Sequence, residues 1–376
     1  MKKLNIVAAG LGFGTLERNR MLEMAGLRFS PAESVFPAVT CVAQASLRTG
    51  LDPSGHGVVS NGYWSEELQK PLFWEQSSRL VKGERVWDAR RRAGEKFGMF
   101  FFQQSLGESV DLLISPAPIH KHGGGIIMNC YTSPGGMSAT LERLCGRFPL
   151  WRYWGPLASP KVGRSCIAYF EQMTDIIDVD EAYLYLPTLD YAAQRSGPDS
   201  SADKSALKEF RRQLERLADI CMRRGCELSV IGDYEITPVT SECVRPNVLL
   251  RRHDLFRVRT MRGMAYPDFY SSGAFAMCDH EFCAVYGQER EKAVELLLAS
   301  GDYERSDEFD HVLLAKPGSW CCYEWWTDRR EAPDYAGHVD IHSKPGYDPK
   351  ELFFLNRGTI KGTHGRKCVV AKTEGV

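Results

Sequence analysis

The chain has 376 residues, 43% of them hydrophobic and 25% charged, with a formal net charge of −1. That length and apolar content can bury one large core or two moderate ones. The near-neutral balance excludes the broad basic surface a nucleic-acid polymer needs, and no stretch reaches the roughly 18 apolar residues of a membrane span.

Leu4 to Ala8 reads as a short buried strand ending in the turn Gly10-Leu11-Gly12-Phe13-Gly14. Met1-Lys2-Lys3 faintly resembles a secretion signal, but the apolar run after it is too short and is broken by glycine. Twelve cysteines without a Cys-x-x-Cys pair read as reduced, mostly buried thiols, so a soluble cytoplasmic protein is expected. Residues 15–25 are helix-prone and stop at Gly26. Residues 63–158, rich in aromatics, Gly and Pro, read as an insertion. Glu181 to Leu186 is a strand that ends at Pro187, shortly before Asp190. Residues 205–224 form the clearest helix: Leu207, Phe210, Leu214, Leu217 and Cys221 recur at helical spacing, and Gly225 supplies the stop. Glu227 to Ile231 is a further buried strand running into Gly232-Asp233-Tyr234. A later segment, 261–335, carries a helix at 290–300 and a strand at 312–315.

Strand, helix and strand in alternation predict an α/β fold with a mostly parallel sheet covered by helices on both faces. Ligands in such sheets gather beyond the carboxyl ends of the strands, the rim on which Ala9, Asp190 and Asp233 would lie.

The segment from Phe36-Pro37 to His56-Gly57 carries the strongest chemical signal. Thr40 stands where a loop becomes a helix, followed by Thr49-Gly50 and Pro53. A threonine there can present its oxygen to a ligand while helix-start N–H groups favour an anion, although a plain structural turn fits equally well. Competing signals are weaker. Thr15 stands where the third glycine of a dinucleotide fingerprint belongs, and no acidic residue ends a second strand at the required distance. His122-Gly123-Gly124-Gly125 lacks the Gly-x-Ser-x-Gly elbow of an esterase and reads as an insertion turn. His56 reads as a turn-stabilising donor, and His338 and His342 as loop histidines. Trp320, Trp325 and Trp326 read as packing, and Cys41 as an inert buried thiol.

The Thr40 segment resembles the nucleophile segment of the alkaline phosphatase superfamily, in the type I phosphodiesterase/nucleotide pyrophosphatase branch, with Thr40, Thr49, Gly50, Pro53, His56 and Gly57 in the pattern. Tyr185 to Pro198, Ile231-Gly232-Asp233-Tyr234 and Gly362-Thr363-His364-Gly365 resemble its later motifs in order, and Asp340 to Asp348 is similar to a run in bacterial members. The resemblance implies a single alkaline phosphatase-like domain over 1–376, with 63–158 and 261–335 as lid insertions. It implies a two-zinc site as well. Of its seven ligand positions Thr40, Asp190, Asp233 and His364 survive, while Ala9, Gln194 and Tyr234 replace an Asp and two His. Gln and Tyr are poor zinc ligands and Ala is none, so the expected cofactor is one weaker divalent metal (Zn, Mg or Mn) on Asp190, Asp233 and His364, or none. Ala43 takes the place of the family's oxyanion amide, with Gln44 beside it.

The leading expectation is an enzyme acting on a small phosphorylated or diphosphate metabolite. Thr40, Tyr234 and His364 would be catalytic, and Gln44, Gln194 and Arg195 would bind substrate. Self-association is left open. Two alternatives stand beside it: a metal-independent isomerase, lyase or transferase using Asp233, Tyr234 and His364, and a non-catalytic binding protein.

Overall fold

The apolar runs at Leu4–Ala8, Ala182–Leu186 and Leu228–Ile231 become the centre of a nine-stranded sheet. These strands are β1 (Lys3–Ala8), β2 (Glu181–Leu186) and β3 (Glu227–Gly232). A computed structural model describes residues 1–339, 344–346, 348–353 and 359–375. Asp340 to Ser343, with His342, and Tyr347 lie outside the described residues. The chain divides into two compact units, 1–58 with 76–236 and 367–376, and 59–75 with 237–366.

The large sheet belongs to the first unit. Its order is Cys130–Ser133, Leu112–Pro116, Phe97–Phe100, β2, β1, β3, Val369–Thr373, Leu27–Glu33 and Glu23–Met24. The five strands from Leu112–Pro116 to β3 run parallel, and the outer pairings are antiparallel. Central parallel strands are buried on both faces, which is why they read as continuous apolar runs. Three of the sheet's strands come from 97–133, within the stretch read from sequence as an insertion. The aromatic run Phe97–Phe102 there is wholly buried at Phe97, Phe100, Phe101 and Phe102.

The best-patterned helix forms as read and starts earlier. α3 (Ser201–Arg224) begins at Ser200, whose hydroxyl accepts from the Asp203 N–H, and ends at Gly225 with φ 64°. Leu207, Phe210, Leu214 and Leu217 are buried, each side chain contributing about 1.5–3 kcal/mol by leaving water. The helix read at 15–25 is shorter, covering only Phe13–Arg18. Beyond it, Arg20 and Ala25 take positive φ and Glu23–Met24 pairs with Leu27–Arg28 in a hairpin, so sheet pairing overrides local helix propensity.

The second unit has its own four-stranded antiparallel sheet, ordered Phe275–Asp279, Phe282–Tyr286, Val312–Ala315 and Tyr303–Arg305, with the helix Arg290–Ala299 beside it. The tryptophans are packing residues there: Trp325 meets Trp326 edge-on at 5.2 Å, and its indole N–H donates to the Ala265 carbonyl.

Candidate active site

The register of the three central strands decides which side chains meet. Ala8 pairs with Leu186 on one side and Gly232 on the other, so the chain leaves all three strands at one level. Gly232 has to be glycine, because a Cβ there would lie 2.2 Å from the Leu11 carbonyl oxygen. That close approach lets the Gly10 N–H donate to Asp233 Oδ1 at 3.0 Å. The N–H of Tyr234 donates to the same oxygen at 2.8 Å, and the Tyr185 hydroxyl reaches Oδ2 at 3.5 Å. Asp233 is therefore a buried carboxylate held by three donors.

Two short helices bring in the other groups. α1 (Thr40–Thr49) starts at the threonine itself, and α2 (Asp190–Ser196) starts at the aspartate. The Thr40 hydroxyl lies 3.4 Å from the Tyr234 hydroxyl. A hydrogen bond from Tyr234 also favours the charged form of Asp190. A phenol carries one proton, and the Asp190 carboxylate accepts it, so the Thr40 O–H is the donor toward Tyr234. Gln194, one turn on from Asp190, donates its Nε2 to Asp190 Oδ1 at 2.5 Å. Thr40, Tyr185, Asp190, Gln194, Asp233 and Tyr234 thus form one connected cluster within the first unit, and Thr40 keeps 7% exposure.

Burial sets the electrostatics. It pushes the Asp190 carboxyl up to about 6, against the opposing hydrogen bonds from Gln194 and Tyr234. Asp233 rises well above the carboxylate range through burial and the nearby Asp190, despite its backbone donors. Tyr185 and Tyr234 are held protonated, first by burial and then by these carboxylates.

The remaining expected residues separate in role. Gln44 lies one turn after Thr40 and its Oε1 accepts from the Gln103 N–H at 2.7 Å. Its buried Nε2 has no hydrogen-bond partner among the described residues. Gln194 spends its Nε2 on Asp190, and Arg195 donates to the Pro156 carbonyl at 3.2 Å. His56 is a structural donor: Val58 N–H donates to its Nδ1 at 3.1 Å, so Nε2 carries the proton toward Ser46 at 2.9 Å. His364 belongs to the second unit, where its ring lies 3.8 Å from that of His280 and its carbonyl accepts from Glu281 N–H. The Asp279 carboxylate beside His280 accepts from the Asn61 backbone and side chain at 2.7 and 3.1 Å.

Two sets of residues escaped the sequence reading. Tyr185 ends a strand and opens the Tyr185–Pro198 motif, but nothing in its spacing says its hydroxyl reaches Asp233. The Asp279-His280 pair did carry a signal, an adjacent acid and imidazole inside an otherwise apolar strand pair. Among the described residues no group of three or more His, Cys, Asp or Glu side chains is arranged to hold a metal ion. No described helix is long and apolar enough to cross a membrane.

The model of the type I phosphodiesterase/nucleotide pyrophosphatase family matches residues 5–348. Among solved structures, murine ectonucleotide pyrophosphatase/phosphodiesterase 5 superposes with a TM-score of 0.60 at 14% identity, covering 99% of this chain and 88% of that one. An inactive threonine-to-alanine variant of that protein in complex with AMP matches equally, with a TM-score of 0.60. Phosphonoacetate hydrolase from Sinorhizobium meliloti, in complex with phosphonoacetate, superposes with a TM-score of 0.63 at 15% identity, covering 99% of this chain and 89% of that one. At these identities the likeness is one of fold: a mixed α/β alkaline phosphatase-like architecture. No curated protein sequence matches the chain.

Proposed function

The chain belongs to the type I phosphodiesterase/nucleotide pyrophosphatase family, and from that premise we propose that it cleaves a phosphoester or diphosphate bond in a small metabolite, with Thr40 as nucleophile. The observation that carries the reading is the Thr40 hydroxyl 3.4 Å from the Tyr234 hydroxyl, in the cluster where Tyr234 favours the Asp190 carboxylate. Thr40 Oγ1 attacks phosphorus while its proton passes to the Tyr234 oxygen and the Tyr234 proton passes to Asp190. The bond from phosphorus to the leaving oxygen breaks, and that oxygen takes the proton from Asp190. Water then attacks the phosphothreonine: the bond to Thr40 breaks, one water proton passes to the Thr40 oxygen and the other stays on the released phosphoryl group. The first-turn N–H groups of α1 favour the phosphoryl oxygens, and the unpartnered Gln44 Nε2 supplies a further donor. Arg195 is assigned to the substrate's negative charge.

The family's two-zinc arrangement does not fit these residues. Ala9 offers no donor, Gln194 and Tyr234 replace imidazoles, and N–H or O–H groups already engage the Asp190 and Asp233 carboxylates. In this reading protons stand where cations would balance the two carboxylates. On the family pattern alone His364 is a further candidate for acid–base work, and His364→Ala tests it in the same assay. The murine relative's AMP complex supports a nucleotide as the first substrate class to try.

The test is phosphate or nucleotide release from a panel of phosphomonoesters, diesters and diphosphates, with Thr40→Ala as control and with chelator present. Turnover that survives chelation and disappears in Thr40→Ala is the expected result. Equal turnover in both proteins, or turnover lost to chelator and restored by zinc, overturns the reading. One observation favours a second reading: the phenol–carboxylate pair would serve an isomerase, lyase or transferase equally well. That reading predicts ligand-dependent thermal stabilisation without phosphate release from the panel.

A further inference from the structure

Five of the twelve cysteines, Cys243, Cys278, Cys283, Cys321 and Cys322, are buried in the second unit. They are not equivalent. Val244 bridges Cys321 in a parallel pairing, and Cys322 N–H donates to the Val244 carbonyl at 2.8 Å, so the segments around 243 and 322 are pinned side by side. Each thiol perturbs the other's pKa, Cys322 lowering that of Cys243 and Cys243 raising that of Cys322. Lys350 Nζ lies 3.4 Å from the Cys322 sulfur and is itself anchored to Glu324 at 2.6 Å and Asp348 at 3.5 Å. Arg245, two residues from Cys243, is paired with Glu324 at 2.9 Å. Cys243 follows the exposed Ser241 and Glu242 and is 9% accessible, whereas Cys322 is fully buried.

We propose that Cys243 and Cys322 form a peroxide-sensitive dithiol, with Cys243 as the attacking sulfur and Cys322 as the resolving one. The asymmetry of the pair assigns the roles. The hydrogen bond from Cys322 favours the Cys243 thiolate, which Lys350 and Arg245 favour further against burial. Burial drives the Cys322 thiol up and keeps its proton in place as the donor. Cys283 and Cys321 are both fully buried, and burial drives Cys321 up.

The chemistry balances with hydrogen peroxide as oxidant. The Cys243 sulfur attacks one peroxide oxygen, the O–O bond breaks, and the departing hydroxide takes a proton to leave as water. The Cys322 sulfur then attacks the Cys243 sulfenic acid. The S–O bond breaks, the S–S bond forms, and hydroxide leaves with the Cys322 proton as a second water. Both sulfurs are oxidised by one electron each, and the peroxide is reduced to two waters.

The experiment is a peroxide titration of the folded full-length chain, with free thiols alkylated before digestion and peptide mass spectrometry. A thiol-reversible peptide linking Cys243 to Cys322, accumulating before any other cysteine is oxidised, is the expected result. In Cys322→Ser, dimedone should label Cys243 at least tenfold faster than Cys283 or Cys321. In Cys243→Ser, Cys322 should stay unlabelled. Oxidation scattered over the buried cysteines, or Cys243 labelling no faster than Cys321, overturns the proposal. The wild-type peptide map stands by itself should either serine variant fail to fold.

Discussion

His56 offers the sharpest test of the electrostatics in the first unit. Its ring is fully buried, with Nδ1 accepting from Val58 and Nε2 donating to Ser46. A proton on Nδ1 would remove the first bond and leave a charge in a dry site. Burial is the main reason its pKa falls from the ordinary 6.5 to about 4, and the nearby Arg48 adds to it. The unfolded chain therefore binds a proton that the folded chain refuses, so stability rises with pH across this window. The contribution is fully present above pH 6.5 and is lost as pH falls toward 4. The whole gap is worth about 3 kcal/mol, of which about 2 kcal/mol is gone by pH 5. Urea unfolding at pH 8 and pH 5 should show that loss in the wild type. In His56→Gln the change between the two pH values should be smaller by about 2 kcal/mol, because the titrating ring is absent. An identical pH dependence in the two proteins would refute the assignment of His56 as a neutral, buried donor.

Other expectations follow from single contacts. Tyr234→Phe removes the relay but keeps the ring, and kcat on the best substrate should fall by about 10²- to 10³-fold with KM little changed; an unchanged kcat excludes the relay. Asp233→Ala strands two backbone N–H groups and the Tyr185 hydroxyl, and should cost about 3 kcal/mol in urea unfolding, with Asp233→Asn milder. Arg48, 1% exposed at its side chain, pairs with Glu108 at 3.3 Å, with Glu108 itself 3% exposed. Glu108→Ala leaves that guanidinium uncompensated and should destabilise by about 3–5 kcal/mol, whereas an effect below about 1 kcal/mol would mean that the Gln44 and Gln104 carbonyls suffice. Gly232→Ala should also destabilise, since its Cβ would strike the Leu11 carbonyl; a stability equal to wild type would show that the loop after β1 yields freely.

The strands β1, β2 and β3 and the helix α3 were legible because each carries a complete local signal: an apolar run of the right length, a helical repeat, a cap and a stop. The hairpin at 23–28 was not, since the residues that tip it into strand pairing come from a partner segment and positive-φ turns rather than from a propensity. The strands within 97–133 were not legible for a related reason. Short strands at the side of a parallel sheet lack a repeating pattern of their own, and their place depends on which neighbour they pair with.

Within the site, the sequence alone determined the chemical vocabulary: a threonine opening a helix, two carboxylates after strand ends, and Gln and Tyr where imidazoles are expected. Only the tertiary structure decided the grammar. The shared level of Ala8, Leu186 and Gly232 brings side chains almost two hundred positions apart into hydrogen-bond reach, and Tyr185 joins them although its strand gives no hint of it. Spacing along a chain constrains neighbours one or two turns away. Which oxygen meets which proton across a sheet is set by strand register and by the cost of leaving a buried polar group unpaired.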